Sequence, residues 1–169
     1  MRKTVLIFSL ILGIIMSINI FVMVNMLYNN PDFKGNDVLG YAAMVVVFSL
    51  IFFGVRNYRN KQLGGYISFG KAFTTGALIA FIASTIYVAV WLFYYYQFVP
   101  DFMDVYTRHV LKNTAAAELA AKTKEMADFK EMYKNPLFTI LITYSEVLPV
   151  GLIVALVSAF ILKRKKVEG

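Results

Sequence analysis

One acidic residue, Glu146, stands inside a long apolar run, and its chemistry needs an explanation before any other. A carboxylate at the centre of a membrane span costs about 2.5–3.5 kcal/mol on insertion scales. Such a residue is expected to face neighbouring helices and find a hydrogen-bond donor there, or to remain protonated. Asn19, Ser84 and Thr85 fall at compatible depths in other apolar runs. The sequence therefore predicts an intramembrane polar cluster of these four residues.

Two uses of this cluster compete, with a third behind them. In the structural hypothesis, Glu146 bonds across helices and fixes their register. In the functional hypothesis, it carries a proton or cation, or binds a ligand, in a small carrier or channel. Catalysis comes third, because a lone carboxylate has no visible partner acid, base or metal ligand. We therefore expect a non-enzymatic structural or partner-binding membrane protein, with the carrier as the alternative.

The residue inventory excludes several other kinds of site. The chain has no cysteine and one histidine, His109. Disulfide scaffolds, thiol redox chemistry and cysteine-built metal sites are therefore excluded, and we expect no cofactor and no metal centre. Hydrophobic residues make up 59% of the chain and charged residues 16%, against about 45–50% and about 25% in soluble domains. An ordinary soluble globule is therefore not expected.

Four apolar runs are long enough to cross a bilayer as helices, since about 20 residues span its hydrocarbon core. They cover residues 4–28, 38–55, 72–99 and 136–162. Backbone groups in lipid must be paired internally, which favours helices. We predict an all-α integral membrane four-helix bundle in a single domain, residues 1–169, with an extramembrane helical segment at 100–135.

The basic residues predict the orientation of the bundle, because Lys and Arg are retained on the cytoplasmic side. One side collects Arg2, Lys3, Arg56, Arg59, Lys61, Lys71, Lys163, Arg164, Lys165 and Lys166. Only one acid, Glu168, accompanies them, whereas eight acids offset the basic residues of the other side. We expect both termini to be cytoplasmic.

Six of these basic residues are candidate contacts for anionic lipid headgroups. They are Arg56, Arg59, Lys61, Lys71, Lys163 and Arg164. A nucleic-acid partner is not expected, since the net charge of +7 is explained by topology. Besides lipids, a protein partner or a homo-oligomer remains open.

Small residues recur at steps of four on three of the spans. Helices in lipid associate through close packing, so small residues at this spacing favour a compact bundle. The stripes are Ser9, Gly13 and Ser17; Ala72, Gly76, Ala80 and Ser84; and Gly151, Ala155 and Ala159.

The two longer links carry turn and cap signals. Gly64-Gly65 predicts a tight reversal, and Ser68 a cap for the third span. In the segment 100–135, Pro100 is predicted as a first helical residue, and Asp104 is expected to pair with Arg108. Asn135-Pro136 predicts the start of the last span. The segment itself is predicted to be one helix or a helical hairpin over the outer face.

Several unusual strings resemble those of a family of bacterial integral membrane proteins catalogued as a domain of unknown function, number forty-one ninety-nine. Among them are residues 56–59 (RNYR), 64–73 (GGYISFGKAF), 133–136 (YKNP) and 146–152 (EVLPVGL). The resemblance is nearly end to end. It implies a multi-span inner-membrane protein and brings no established activity.

Overall fold

A computed structural model describes residues 1–30, 32–33 and 35–165. Pro31, Lys34 and residues 166–169 lie outside the described part. The charges of Lys34, Lys166 and Glu168 in the count above are therefore not placed.

The described chain is all-α, with seven helices and no strand. The helices are α1 (Arg2–Asn29), α2 (Asp37–Phe48), α3 (Leu50–Gln62), α4 (Phe69–Phe98), α5 (Phe102–Lys112), α6 (Leu119–Tyr133) and α7 (Pro136–Leu162). Four helices are long and apolar enough to cross a membrane: α1, the α2–α3 pair over Val38–Gln62, α4 and α7. The predicted membrane bundle is confirmed, and its second span ends seven residues later than expected.

The four spans give the bundle two distinct ends. The basic end carries Met1, the turn between α3 and α4, and the end of α7. The hairpin end carries α5 and α6, which pack against each other as a helical hairpin.

The centre of the bundle is the contact between α4 and α7, which the small-residue stripes make possible. All ten residues of the three stripes are buried. A Cβ atom built on Gly76 would lie 2.9 Å from the Cβ of Ala155, and one built on Gly151 would lie 2.9 Å from the Cβ of Ala80. Helix α1 packs on the other side of α4, where Gly13 faces Ile86. The predicted packing role of the stripes is confirmed.

The second span is interrupted at Ser49. The Ser49 hydroxyl donates to the carbonyl of Val46 (2.6 Å), and the N–H of Phe52 bonds to the carbonyl of Ser49 at a spacing of three. Such back-bonding by serine competes with the regular helix and often bends it. Helix α3 packs against α1, α4 and α7, whereas α2 packs mainly against α1 and α7. Exposed apolar residues are accordingly dense on α2, with Val38 77% and Val46 70% exposed.

The hairpin corrects two predictions about its first helix. α5 begins at Phe102, so Pro100 lies before the helix rather than at its first position. The carboxylate of Asp104 pairs with Lys130 of α6, while Arg108 donates to the backbone carbonyl of Asp104 (3.4 Å). Because Asp104 faces the neighbouring helix, the tertiary partner replaces the expected one within α5.

The turn and cap signals are confirmed. Gly64 and Gly65 adopt positive φ angles of 62° and 91° in the reversal between α3 and α4. The Ser68 hydroxyl accepts from the N–H of Lys71 (3.3 Å). Asn135 accepts from the N–H of Leu137 (3.0 Å), with Pro136 as the first residue of α7.

Candidate functional site

Glu146 lies on the flank of α7, beside the buried positions Thr143 and Val147. It is about 15 Å from the hairpin end of the helix and about 24 Å from the basic end, at 1.5 Å per residue. Its side chain is exposed, and it makes no hydrogen bond or ion pair with any described residue. The interhelical bond expected for Glu146 is therefore not found among the described residues, and the other expectation, a carboxyl group that remains protonated, stays a prediction.

Neither of two predicted partners, Ser84 and Thr85, bonds to Glu146. The Thr85 hydroxyl accepts from Tyr144 (2.8 Å) and donates to the carbonyl of Phe81 (2.8 Å). Ser84 is fully buried, and its hydroxyl has no partner among the described residues. Tyr144 and Glu146 are about 200° apart around α7, because successive residues differ by about 100°. The Tyr144–Thr85 bond therefore lies on the opposite flank of the α4–α7 contact from Glu146.

Tyr87 is the polar residue that sequence reasoning missed. It is half-buried on α4, on the same flank as Glu146, and is close enough to its carboxylate for the two to interact electrostatically. Its hydroxyl makes no hydrogen bond to a described residue. Tyr87 follows Ser84 by three residues, so the two side chains are neighbours on the surface of α4. A polar hydroxyl inside an apolar run, at the same depth as Glu146, was the sequence feature that could have identified Tyr87.

The remaining predicted member, Asn19, meets Tyr87 at a small cavity. The cavity has a volume of about 30 Å³ and is lined by Met16, Asn19, Ala43, Met44, Val47 and Tyr87. This volume holds two or three water molecules, at roughly 10–15 Å³ for each. Asn19 is exposed and makes no hydrogen bond to a described residue.

The three unbonded polar residues, Asn19, Tyr87 and Glu146, share one level of the bundle. Counted along α1, α4 and α7 at 1.5 Å per residue, they lie about 24–27 Å from the basic ends of their helices. This level is in the half of the bundle nearer the hairpin. We call these three residues the polar crevice.

The polar crevice exists because α2 does not continue the packing of α3. Near the basic end, Ile51 of α3 lies beside Gly76, and Gly54 lies beside Ile79, which brings α3 onto α4. Beyond the break at Ser49, α2 packs mainly on α1 and α7 and leaves space above Tyr87. The cavity beside Asn19 and Tyr87 is therefore lined by α1, α2 and α4, and Glu146 of α7 lies at the same level outside its lining.

Tyr133 approaches the polar crevice from the hairpin. It is buried in the cluster formed by Val24, Trp91, Tyr95 and their neighbours. Burial raises the pKa of the Tyr133 hydroxyl to about 12, and the nearby Glu146 carboxylate also raises it. Hydrogen bonds with the side chains of Trp91 and Thr143 lower this pKa in part, and Tyr133 keeps its proton at physiological pH.

The chemistry available in the polar crevice is hydrogen bonding and electrostatic attraction. Its groups are a carboxyl, an amide and a phenol, without an adjacent histidine or cysteine. Among the described residues, no three His, Cys, Asp or Glu side chains are grouped so that they could hold a metal ion. The arrangement suits a hydrogen-bonded or cationic partner.

The six predicted headgroup contacts divide into four groups at the basic end. Arg59 is half-buried and donates to the carbonyl of Leu162 (3.2 Å), so it ties α3 to the end of α7. Lys163 lies over the ring of Phe160 (5.2 Å to the centroid). Arg56 and Lys61 are exposed. Lys71 and Arg164 line a larger cavity, described below.

Comparison with known families gives one match. The family model described as a protein of unknown function (DUF4199) matches residues 7–164, nearly the whole chain. No curated protein and no solved structure matches the chain.

Proposed function

The chain belongs to the DUF4199 family of unknown function, and from this premise we propose that it is a non-enzymatic integral membrane protein that binds a protein partner within the bilayer. The observation that carries the proposal is Glu146, an exposed residue of a membrane span whose carboxyl group has no bonding partner among the described residues. We also propose that both termini are cytoplasmic and that the membrane is a bacterial inner membrane, on the strength of the basic end.

Without a protein partner, Glu146 would face lipid. In lipid, an unpaired carboxyl group in a span costs about 2.5–3.5 kcal/mol on insertion scales. An interhelical hydrogen bond in a membrane contributes about 0.6–2 kcal/mol, and close packing adds to it. A transmembrane helix that brings a hydrogen-bond donor or a basic side chain to the level of Glu146 offsets this cost. The partner we propose is such a helix, seated along α7 beside α2.

Photo-crosslinking in native membranes tests this proposal. A photoreactive residue replaces Val150, one turn from Glu146 on the same face of α7; the matched control replaces Phe93, which is 64% exposed on α4. We expect a discrete protein adduct from position 150 and only lipid adducts from position 93. Glu146→Leu should remove the adduct, and Glu146→Gln, which can still form hydrogen bonds, should keep it.

The opposite results would refute the proposal. Lipid adducts alone at both positions would show that lipid covers Glu146. A protein adduct that persists in Glu146→Leu would show that the carboxyl group is not the anchor. An adduct with twice the mass of this chain would identify the partner as a second copy.

A small proton- or cation-coupled carrier is the second candidate, and one observation favours it. Asn19, Tyr87 and Glu146 lie at the same level and make no hydrogen bond to a described residue, and Asn19 and Tyr87 line a cavity the size of two or three waters. Polar residues inside spans often mark ion or proton pathways. In proteoliposomes loaded with a pH-sensitive dye, a carrier would give a proton flux that Glu146→Gln abolishes. Equal flux in the wild type and in Glu146→Gln would exclude this role.

A further inference from the structure

A second cavity, larger than the first, opens at the basic end. Its volume is about 480 Å³, and it lies between the turn that precedes α4 and the residues that follow α7. It is lined by Tyr66, Ile67, Ser68, Lys71, Arg164 and Lys165, among others. It is at the opposite end of the bundle from the hairpin and shares no residue with the polar crevice.

The two walls of this cavity are fixed to each other. Ile67 and Arg164 exchange two backbone hydrogen bonds, of 3.1 Å and 2.8 Å. The side chain of Ile67 is buried. The guanidinium group of Arg164 lies over the ring of Tyr66, 5.7 Å from its centroid. The backbone bridge and this stacking restrict the Arg164 side chain to the cavity.

The cavity concentrates positive charge that no described acid neutralises. Lys71, Arg164 and Lys165 line it, and none of them forms an ion pair with a described residue. Apart from Glu146 on the flank of α7, every described acidic residue belongs to the α1–α2 link, the start of α2 or the hairpin region. The 30-residue helix α4 also begins here, and the partial positive charge of its N-terminus adds to the field.

An aromatic surface next to the cavity distinguishes a lipid from a small anion. Phe69 packs against Phe160 (ring centroids 4.7 Å apart) and is stacked with Phe73 (6.2 Å). Phe160 is 55% exposed on the apolar face of α7, close to its basic end. A row of cations with apolar rings beside it matches a charged headgroup joined to acyl chains.

We propose that this cavity binds the phosphate group of an anionic phospholipid, with the acyl chains lying along Phe69 and Phe160. Lys71, Arg164 and Lys165 hold the phosphate, and Arg164 supplies the planar donor pair that suits phosphate oxygens. This inference is independent of the partner proposed for Glu146.

Native mass spectrometry of the full chain tests the inference. The protein, stripped of lipid in a non-ionic detergent, is titrated with phosphatidylglycerol and, separately, with phosphatidylcholine. We expect a preference for phosphatidylglycerol. The double variant Lys71→Gln/Arg164→Gln should weaken phosphatidylglycerol binding about tenfold or more, since each basic residue near an anionic headgroup contributes on the order of 1 kcal/mol.

A matched control separates the cavity from bulk charge. Arg56→Gln/Lys61→Gln removes the same charge from two exposed residues at the same end, outside the lining of the cavity, and should keep the preference. Equal loss in the two double variants, or no preference in the wild type, would overturn the inference. The single variant Lys165→Gln provides a second reading if the double variant fails to fold, and it should weaken binding by several-fold.

Inorganic phosphate distinguishes the two sources of the anion. With phosphate added to the same titration, we expect the phosphatidylglycerol adduct to persist, because the acyl chains contribute to binding. Displacement of the lipid by millimolar phosphate would show a site for a small anion and would overturn the lipid assignment.

Discussion

Substitution of Gly76 by alanine is the sharpest test of how the bundle is held together. A Cβ atom at this position would lie 2.9 Å from the Cβ of Ala155, 3.0 Å from the Cγ2 of Ile51 and 3.2 Å from the Cα of Ala155. Ordinary contacts of this kind are 3.4–4 Å long. One of the close atoms belongs to the backbone of α7, so relief requires α4 and α7 to separate by a few tenths of an ångström or more.

The expected change in the free energy of unfolding is the difference between a packing cost and a gain in helix propensity. Overpacking a well-packed contact costs typically about 1–3 kcal/mol. The higher helix propensity of alanine returns up to about 1 kcal/mol. We therefore expect Gly76→Ala to lower the free energy of unfolding by about 1–2 kcal/mol, or about 5–30-fold in the ratio of folded to unfolded protein.

The matched control is Gly70→Ala on the same helix. A Cβ atom at Gly70 would meet nothing within 4 Å, and the residue is exposed in the first turn of α4. This substitution should leave the free energy of unfolding unchanged or raise it slightly.

Unfolding by SDS in mixed micelles provides the assay. Helicity from circular dichroism reports the whole bundle, and the fluorescence of Trp91, the only tryptophan, reports the buried cluster near the hairpin. If Gly76→Ala proves as stable as Gly70→Ala, the α4–α7 contact is not as close as described, and the packing argument fails.

Three further predictions address other contacts. Tyr144→Phe removes the hydrogen bond to Thr85 and should cost about 0.6 kcal/mol in the same assay; Thr85→Val should cost a similar amount, and the double variant no more than either. Asp104→Asn should loosen the hairpin by at most about 1 kcal/mol, because its pair with Lys130 is exposed; faster hydrogen exchange in α5 that disappears in high salt would verify this, and a salt-independent effect would contradict it. Tags fused to the two termini should react with an impermeant reagent from the same side of the membrane, since four spans return the chain to its starting side; labelling from opposite sides would refute the four-span topology.

The spans, caps and small-residue stripes could be predicted from the sequence because each depends on local information. The length of each span follows from the length of the uncharged run. Asn135-Pro136 starts a helix and Gly64-Gly65 forms a reversal because of the backbone preferences of these residues themselves. The stripes were predicted correctly because residues at steps of four share one face, and only small ones permit close helix packing.

The environment of Glu146 could not be predicted in the same way. The depth of Glu146 follows from counting residues along α7. Which residues surround it depends on which helices pack on each side of α7, and the sequence of α7 does not give this. Thr85 is at the right depth on the wrong flank, whereas Tyr87 is at the right depth on the same flank. The divergence of α2 from α4 begins at a single serine inside an apolar run, and nothing in the hydrophobic pattern marks it.

The interruption at Ser49 has a mechanical consequence for the second span. Helix α3 is wedged between α1, α4 and α7 and anchored by Arg59 to the end of α7. Helix α2, joined to it through one irregular residue, meets fewer elements and exposes most of its apolar side chains. We therefore expect a thinner bilayer or an incoming neighbour to be accommodated by tilting of α2 about Ser49, while α1, α3, α4 and α7 keep their places. The small cavity beside Asn19 and Tyr87, which residues of α2 also line, would change in volume with that tilt.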